Sequence, residues 1–346
     1  MGEPNRVACA PLKSPTPHSK NESPYLRPMQ FTSTIQKIMV PLSFAAGLLL
    51  ITPIAQATDD PIRQAVPPKP YPTSTIQQAL DYLNTTPLPD TSTWWPNIRR
   101  SLFLENLKAN LLAPSRLYQG TNTNFCGYAA LSWLPLHDDP LAYARFLVAL
   151  YTNGRATWGS IHFTPSKEIC RAAGTLRFKG ILDIRPADQL WFLILADHFK
   201  SYLNLFFRRF HPGSENTFWA AVNYGKFNRI IRDMLGYHIR ATGSDLLRPH
   251  IPDLFAYLNQ CLQTGLTYLY VNNTYLHKKN HNKFKGRFPT HFIILDQIRR
   301  IPDQPDKVDI IYWDYGGRTL RQVSLRFLKK ITFGVTVCTK PVSPNP

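Results

Sequence analysis

Gln119-Gly-Thr-Asn-Thr-Asn-Phe-Cys126-Gly-Tyr-Ala-Ala-Leu-Ser-Trp133 changes character at one residue. Up to Asn124 the run is polar and built from residues that favour turns over regular structure. From Cys126 onward it is small and apolar, the pattern of a helix buried nearly all round. This predicts a loop feeding a buried helix, with the Cys126 thiol at the helix N-terminus. There the positive end of the macrodipole stabilises a thiolate, the form of sulfur that attacks carbonyl carbon. Gly127, Ala129 and Ala130 would let that helix approach a neighbouring layer closely. The competing description is a buried core cysteine, a common fate for the residue.

Helical signals surround this stretch. Thr75 to Leu83 has helical spacing with Ser74 or Thr75 as N-cap. Trp94 to Leu112 is expected to form a second helix. Asp139-Pro140 opens another that closes at Gly154. Thr164-Pro165 opens a short one through Cys170, and Pro186 opens a long apolar one through His198. Asn216-Thr217 is expected to precede a helix, followed by Lys226 to Leu235 and Pro252 to Gln263. The pattern then switches to β-branched and aromatic runs: Thr267–Val271, His291–Leu295, Val308–Trp313, Gln322-Val323 and Ile331–Val337. Helices first and strands second imply an α+β fold. The Cys126 helix would pack on a C-terminal antiparallel β-sheet.

The chain has 346 residues, enough for one large domain or two ordinary ones, and 44% hydrophobic residues supply a core. Its formal net charge of +18 suits an acidic partner: nucleic acid, anionic lipid or an anionic polymer of a bacterial envelope. The plainer reading is a solvated basic surface. Residues 1–57 read as leader and export signal, with the effective start at Met29. Lys37 supplies the positive charge, Met39 to Ile54 the apolar stretch, and Ala55-Gln-Ala57 the cleavage site. The alternative is a membrane anchor over residues 38–54, which is short for a span and contains Pro41 and Pro53. Residues 58–74 form a proline-rich linker. After loss of Cys9 with the leader, Cys126, Cys170, Cys261 and Cys338 remain; a free Cys126 leaves room for at most one disulfide. The absence of any CxxC pair argues against a zinc ribbon or a thioredoxin-type site.

Three further residues complete a candidate catalytic set. His291 opens an apolar strand, and imidazole suits a general base for a thiol. Asp314, in Trp313-Asp-Tyr-Gly-Gly317, ends another strand in a glycine turn and could orient the imidazole. Asp296 is the rival, but five residues from His291 a regular strand turns its side chain to the opposite face. Gln119 could donate its amide to a developing oxyanion beside the Cys126 N–H, with Asn122 and Asn124 as alternatives.

The order of Gln119, Phe125-Cys126-Gly-Tyr-Ala-Ala130, His291-Phe-Ile-Ile-Leu295 and Tyr312-Trp-Asp-Tyr-Gly-Gly317 resembles bacterial papain-like cysteine peptidases and amidases, over about residues 115–337. Its long helical segment before the sheet is similar to the effector-like branch. The resemblance implies a Cys126–His291–Asp314 triad, with Gln119 in the oxyanion hole. It also implies one catalytic domain over residues 75–340 with a helical insertion at about 139–265. The gap from Gln119 to Cys126 is one residue longer than in plant-type members, and Cys126 is not followed by their Ser-Cys-Trp. The expectation is an exported thiol hydrolase acting on a protein or peptidoglycan peptide, needing no cofactor and no metal. A non-catalytic envelope or adhesion module on the same scaffold is the alternative, and a toxin-type effector working inside another cell a third. His277 and His281 have helical metal-pair spacing but lack the glutamate of a zinc hydrolase. Phe206-Phe-Arg-Arg-Phe210 mixes aromatic and basic residues without any nucleic-acid motif, so nucleic acid is disfavoured as a partner.

Overall fold

A computed structural model describes residues 73–200, 209–276 and 288–340. The leader and signal region, nearly all of the linker, the His277/His281 pair and Phe206 to Arg208 lie outside the described residues. Local sequence signals set most helix ends. In α1 (Ile76–Thr85), the Thr75 hydroxyl caps the Gln78 N–H while the Gln78 side chain returns to the Thr75 N–H. Then come α2 (Arg100–Leu112) and α3 (Cys126–Asp138). Asp139 caps α4 (Pro140–Asn153), which stops at Gly154 in the left-handed conformation. A small hairpin, β1 (Ala156–Trp158) and β2 (Ile161–Phe163), precedes α5 (Lys167–Ala172) and the buried α6 (Pro186–Phe199). The chain continues with α7 (Tyr224–Arg229), β3 (His238–Gly243), α8 (Leu254–Thr264), β4 (Leu266–Val271) and the short α9 (Asn273–Leu276). Then β5 (His291–Ile301), β6 (Gln304–Asp314), β7 (Gly317–Ser324), α10 (Leu325–Ile331) and β8 (Thr332–Thr339) complete it.

Six strands form one antiparallel sheet in the order β3-β8-β4-β5-β6-β7. Alternation along each strand splits its side chains between two cores. Tyr268, Tyr270, Phe292 and Ile294 join the core that contains α3, α4 and α6. Leu269, Val271, Ile293 and Leu295 join the one that contains α8 and α10. The architecture is therefore α+β, with the Cys126 helix packed against the antiparallel sheet at β5. Among the described residues no helix is long and apolar enough to cross a membrane.

Four local expectations change. The second helix starts at Arg100 rather than Trp94, because Trp95 and Pro96 lie inside a turn closed by the Thr91–Arg99 bridge. No helix starts directly after Thr217. Its hydroxyl accepts the Trp219 N–H and donates to the Ser214 carbonyl, and Asn124 takes its own carbonyl. The run expected as one helix from Lys226 is a short α-helix that widens into a π-turn over Ile230–Met234. The segment 139–265 is not purely helical: it contains the β1–β2 hairpin and also β3, an edge strand of the main sheet paired with β8.

Candidate active site

Cys126 is the first residue of α3, and no side chain caps that helix end. Phe125 is fixed by a stacked contact with Phe192, 5.4 Å between ring centres. The next residue has to be glycine: a Cβ on Gly127 would lie 2.2 Å from Val222 Cγ1 and 3.3 Å from the Phe292 ring. The loop before Cys126 is tied from several sides. Thr123 donates to the Gln119 carbonyl at 2.6 Å, Asn122 N–H to the Lys179 carbonyl at 3.1 Å, and Asn124 N–H to the Glu215 carbonyl at 2.8 Å. Glu215 and Lys179 form an ion pair at 2.5 Å with the carboxylate buried. The Asn124 side-chain amide donates one N–H to the Thr217 carbonyl at 2.9 Å.

His291 begins β5 and Asp314 ends β6, at the same end of the sheet. Ile294 pairs with Trp313, so alternation sends His291 and Asp314 to one face. The buried ring of His291 meets Asp314 through Nε2, 2.6 Å from Oδ1. With Nε2 engaged there, Nδ1 is left for the thiol. Cys126 Sγ lies 3.8 Å from the carbonyl oxygen of Thr290, the peptide that leads into His291. Burial by itself would push the imidazole pKa down. The charges of Asp314 and Cys126, and a side-chain hydrogen bond with each, overcome that and raise it to about 10. These partners favour the charged form of the ring, in which Nε2–H donates to the carboxylate. Cys126 is a free thiol, as are Cys170, Cys261 and Cys338.

The turn after Asp314 carries a residue absent from the sequence expectations. Tyr315 and Gly316 have φ of 47° and 77° and link Asp314 to its strand partner Gly317. Two successive positive φ values make a mirror-image hairpin turn, whose twist matches the strands it joins. Tyr315 stacks on His291 with ring centres 4.8 Å apart and planes 18° apart, while its hydroxyl accepts from Asn273 Nδ2 at 2.9 Å. Burial, then the Asp314 and Cys126 charges, push its phenol pKa well up, so it stays neutral. Trp313 donates through Nε1 to the Ser115 carbonyl at 2.7 Å, and a Cβ on Gly316 would lie 3.1 Å from the Leu117 carbonyl. The turn therefore abuts residues 115–117, immediately upstream of Gln119.

Gln119 is 1% exposed, and its Nε2 has no hydrogen-bond partner among the described residues. Leaving such a donor unsatisfied costs about 1–3 kcal/mol. Asp296 lies on the other face, ion-paired with Arg318 at 2.7 Å, in accord with its rejection as the third member. Among the described residues, no three His, Cys, Asp or Glu side chains are grouped so as to hold a metal. The structure thus gathers Cys126, His291 and Asp314 and leaves Gln119 with a free donor. Sequence reasoning missed Tyr315 and Asn273; the signal available for the first was a bulky residue in a turn that demands positive φ. No protein-family model matches the chain, and no curated protein matches it.

Proposed function

We propose that this chain is a cysteine hydrolase that cleaves an amide or peptide bond with Cys126, His291 and Asp314. The observation that carries the reading is a buried imidazole–carboxylate pair, 2.6 Å between Nε2 and Oδ1, beside a free thiol at a helix N-terminus. A structural core seldom retains such a pair, because the desolvation penalty is several kcal/mol per ion.

The resting site pairs a Cys126 thiolate with the His291 imidazolium. Sulfur attacks the carbonyl carbon, an S–C bond forms, and the π pair moves to oxygen. That oxyanion accepts from the Cys126 backbone N–H and from Gln119 Nε2. As the tetrahedral adduct collapses the C–N bond breaks, and the leaving nitrogen takes the Nδ1 proton of His291. Nδ1, now neutral, removes a proton from water. The resulting hydroxide adds to the thioester, and the C–S bond breaks to release the acid and restore the ion pair. Asp314 keeps the ring oriented and its cation stabilised throughout, and Tyr315 covers one ring face.

The substrate class is a protein or a peptidoglycan peptide. Export through residues 29–57 is part of the proposal and rests on the sequence pattern alone. The test compares wild type with Cys126→Ala on casein and on a muropeptide panel, alongside iodoacetamide labelling near neutral pH. Hydrolysis abolished by Cys126→Ala, with rapid wild-type labelling, supports the reading. Labelling no faster than in an unfolded control, with no cleavage of any substrate, favours the non-catalytic envelope module.

A further inference from the structure

A second concavity, of about 510 Å³, sits at the C-terminal end of α6 and shares no lining residue with the Cys126 site. Lys200, Arg209, Lys226, Arg229 and His198 line it together with Phe199 and one isoleucine. Lys226 is fixed in place. Its Nζ donates to the carbonyls of Phe199 and Lys200, at 2.9 and 2.6 Å, so the ammonium sits at the negative end of the α6 macrodipole. Lys226 and Arg229 are three residues apart on α7 and share a face, with no acid between them. Burial, and then the Arg229 charge, push the Lys226 pKa down to about 8.

The nearby acids are engaged elsewhere. Asp197 accepts the Ser166 N–H at 2.8 Å and lies 3.8 Å from Lys200. Asp233 is bonded to Arg232 at 2.7 Å. Arg209 and Arg229 have no ion-pair partner among the described residues. Cations converging on one hollow repel one another. An anion in the hollow would relieve this. Guanidinium groups suit one with several oxygens, because their paired N–H donors match its geometry. A hollow of this volume lies within the usual range for small-molecule sites.

We propose that this concavity binds a phosphate-type oxyanion, free or as part of an ester, with Arg209 and Arg229 gripping its oxygens and Lys200 and Lys226 lending charge. The site is independent of the chemistry at Cys126. The test titrates inorganic phosphate and pyrophosphate into the folded protein by calorimetry at constant ionic strength. In parallel, the protein is co-sedimented with phosphatidylcholine vesicles, with and without phosphatidylglycerol.

Saturable binding to either probe, weakened at least about tenfold in Arg209→Gln/Arg229→Gln, is the expected result. Lys329→Gln, on a different basic cluster, should bind as wild type does. Binding of the soluble probes identifies a free phosphate or small ester, and binding confined to phosphatidylglycerol vesicles identifies a lipid headgroup. If the double variant does not fold, Lys200→Gln takes its place with an expected loss of about threefold or more. The proposal is overturned if neither probe binds, or if the arginine variant binds as tightly as Lys329→Gln, which would make the attraction a diffuse effect of the +18 charge. Cys126→Ala should bind normally, so failure of the hydrolase reading would leave this result intact.

Discussion

Replacing Asp314 with Asn should leave the site nearly the same shape and remove one charge, which isolates what the carboxylate does to His291. The two side chains meet at 2.6 Å between Nε2 and Oδ1. With charge centres about 4 Å apart and an effective dielectric constant of about 20, the pair is worth about 4 kcal/mol, or about three pKa units. His291, now raised to about 10, should therefore fall to about 7 in Asp314→Asn. Ring-labelled histidine NMR across a pH series reads this directly. Stability follows from the same shift. The wild-type imidazole pKa is above its unfolded value, so its contribution is fully present below about pH 6.5 and is lost as pH rises towards 10, at up to about 1.4 kcal/mol per unit. Denaturant unfolding should show that slope in wild type and a much flatter one in Asp314→Asn. A His291 titration that moves by less than about one unit in the variant would refute the coupling and with it the charged resting state.

Gln119→Ala should slow amide hydrolysis about 100-fold or more while leaving iodoacetamide labelling of Cys126 unchanged, since alkylation develops no oxyanion. Equal slowing of both reactions would instead assign Gln119 to positioning the loop. Gly127→Ala should destabilise the fold by about 1–3 kcal/mol, because its Cβ would meet Val222 at 2.2 Å. Adding Val222→Ala should recover part of that loss in thermal unfolding, and no recovery would exclude this clash as the cause. Thiol mapping by mass spectrometry should find Cys126 modified well before Cys170. Burial, and then the Asp197 charge, raise the Cys170 thiol to about 11, and thiolate is the reactive form; labelling of both at one rate would contradict the assignment of Cys126 as the activated thiol.

The sequence was most legible where a local signal had a local cause. Asp139-Pro140 and Gly154 bracket α4 because a side-chain cap, a fixed φ and a left-handed glycine each act within one turn. The Cys126 helix start was legible for a similar reason, a polar loop giving way to small apolar residues. Strands β4, β5, β6 and β8 were readable because their buried faces demand apolar and aromatic side chains. By contrast, β3 is an edge strand whose residues are exposed or half-buried throughout, so no apolar alternation marked it. The strands β1 and β2 have three residues each, too few to show a period. Asp314 was readable from the Gly-Gly that closes its turn, but its 2.6 Å contact with His291 spans 23 residues. The Asn273–Tyr315 bond spans 42, and nothing local announces it.

Three departures from ordinary folding economy converge on one end of the sheet. Tyr315 adopts a left-handed backbone that disfavours any side chain. Gln119, although buried, holds an amide donor with no partner among the described residues. At His291 neighbouring charges favour the protonated ring against a burial that disfavours it. The first two cost stability, and strain of this kind persists only where surrounding structure over-determines it. The bracing is visible: Trp313 to Ser115, Asn273 to Tyr315, and Gly127 flush against Val222. These contacts serve one another. The Tyr315 stack covers the His291 ring, the ring is held by Asp314, and the turn carrying Asp314 abuts the strand of chain that leads to Gln119. A core that merely had to pack would gain by replacing the histidine–aspartate pair with apolar residues of the same volume. On the proposed hydrolase reading the pair is kept, and aligned with a free thiol, because its charge acts at Cys126.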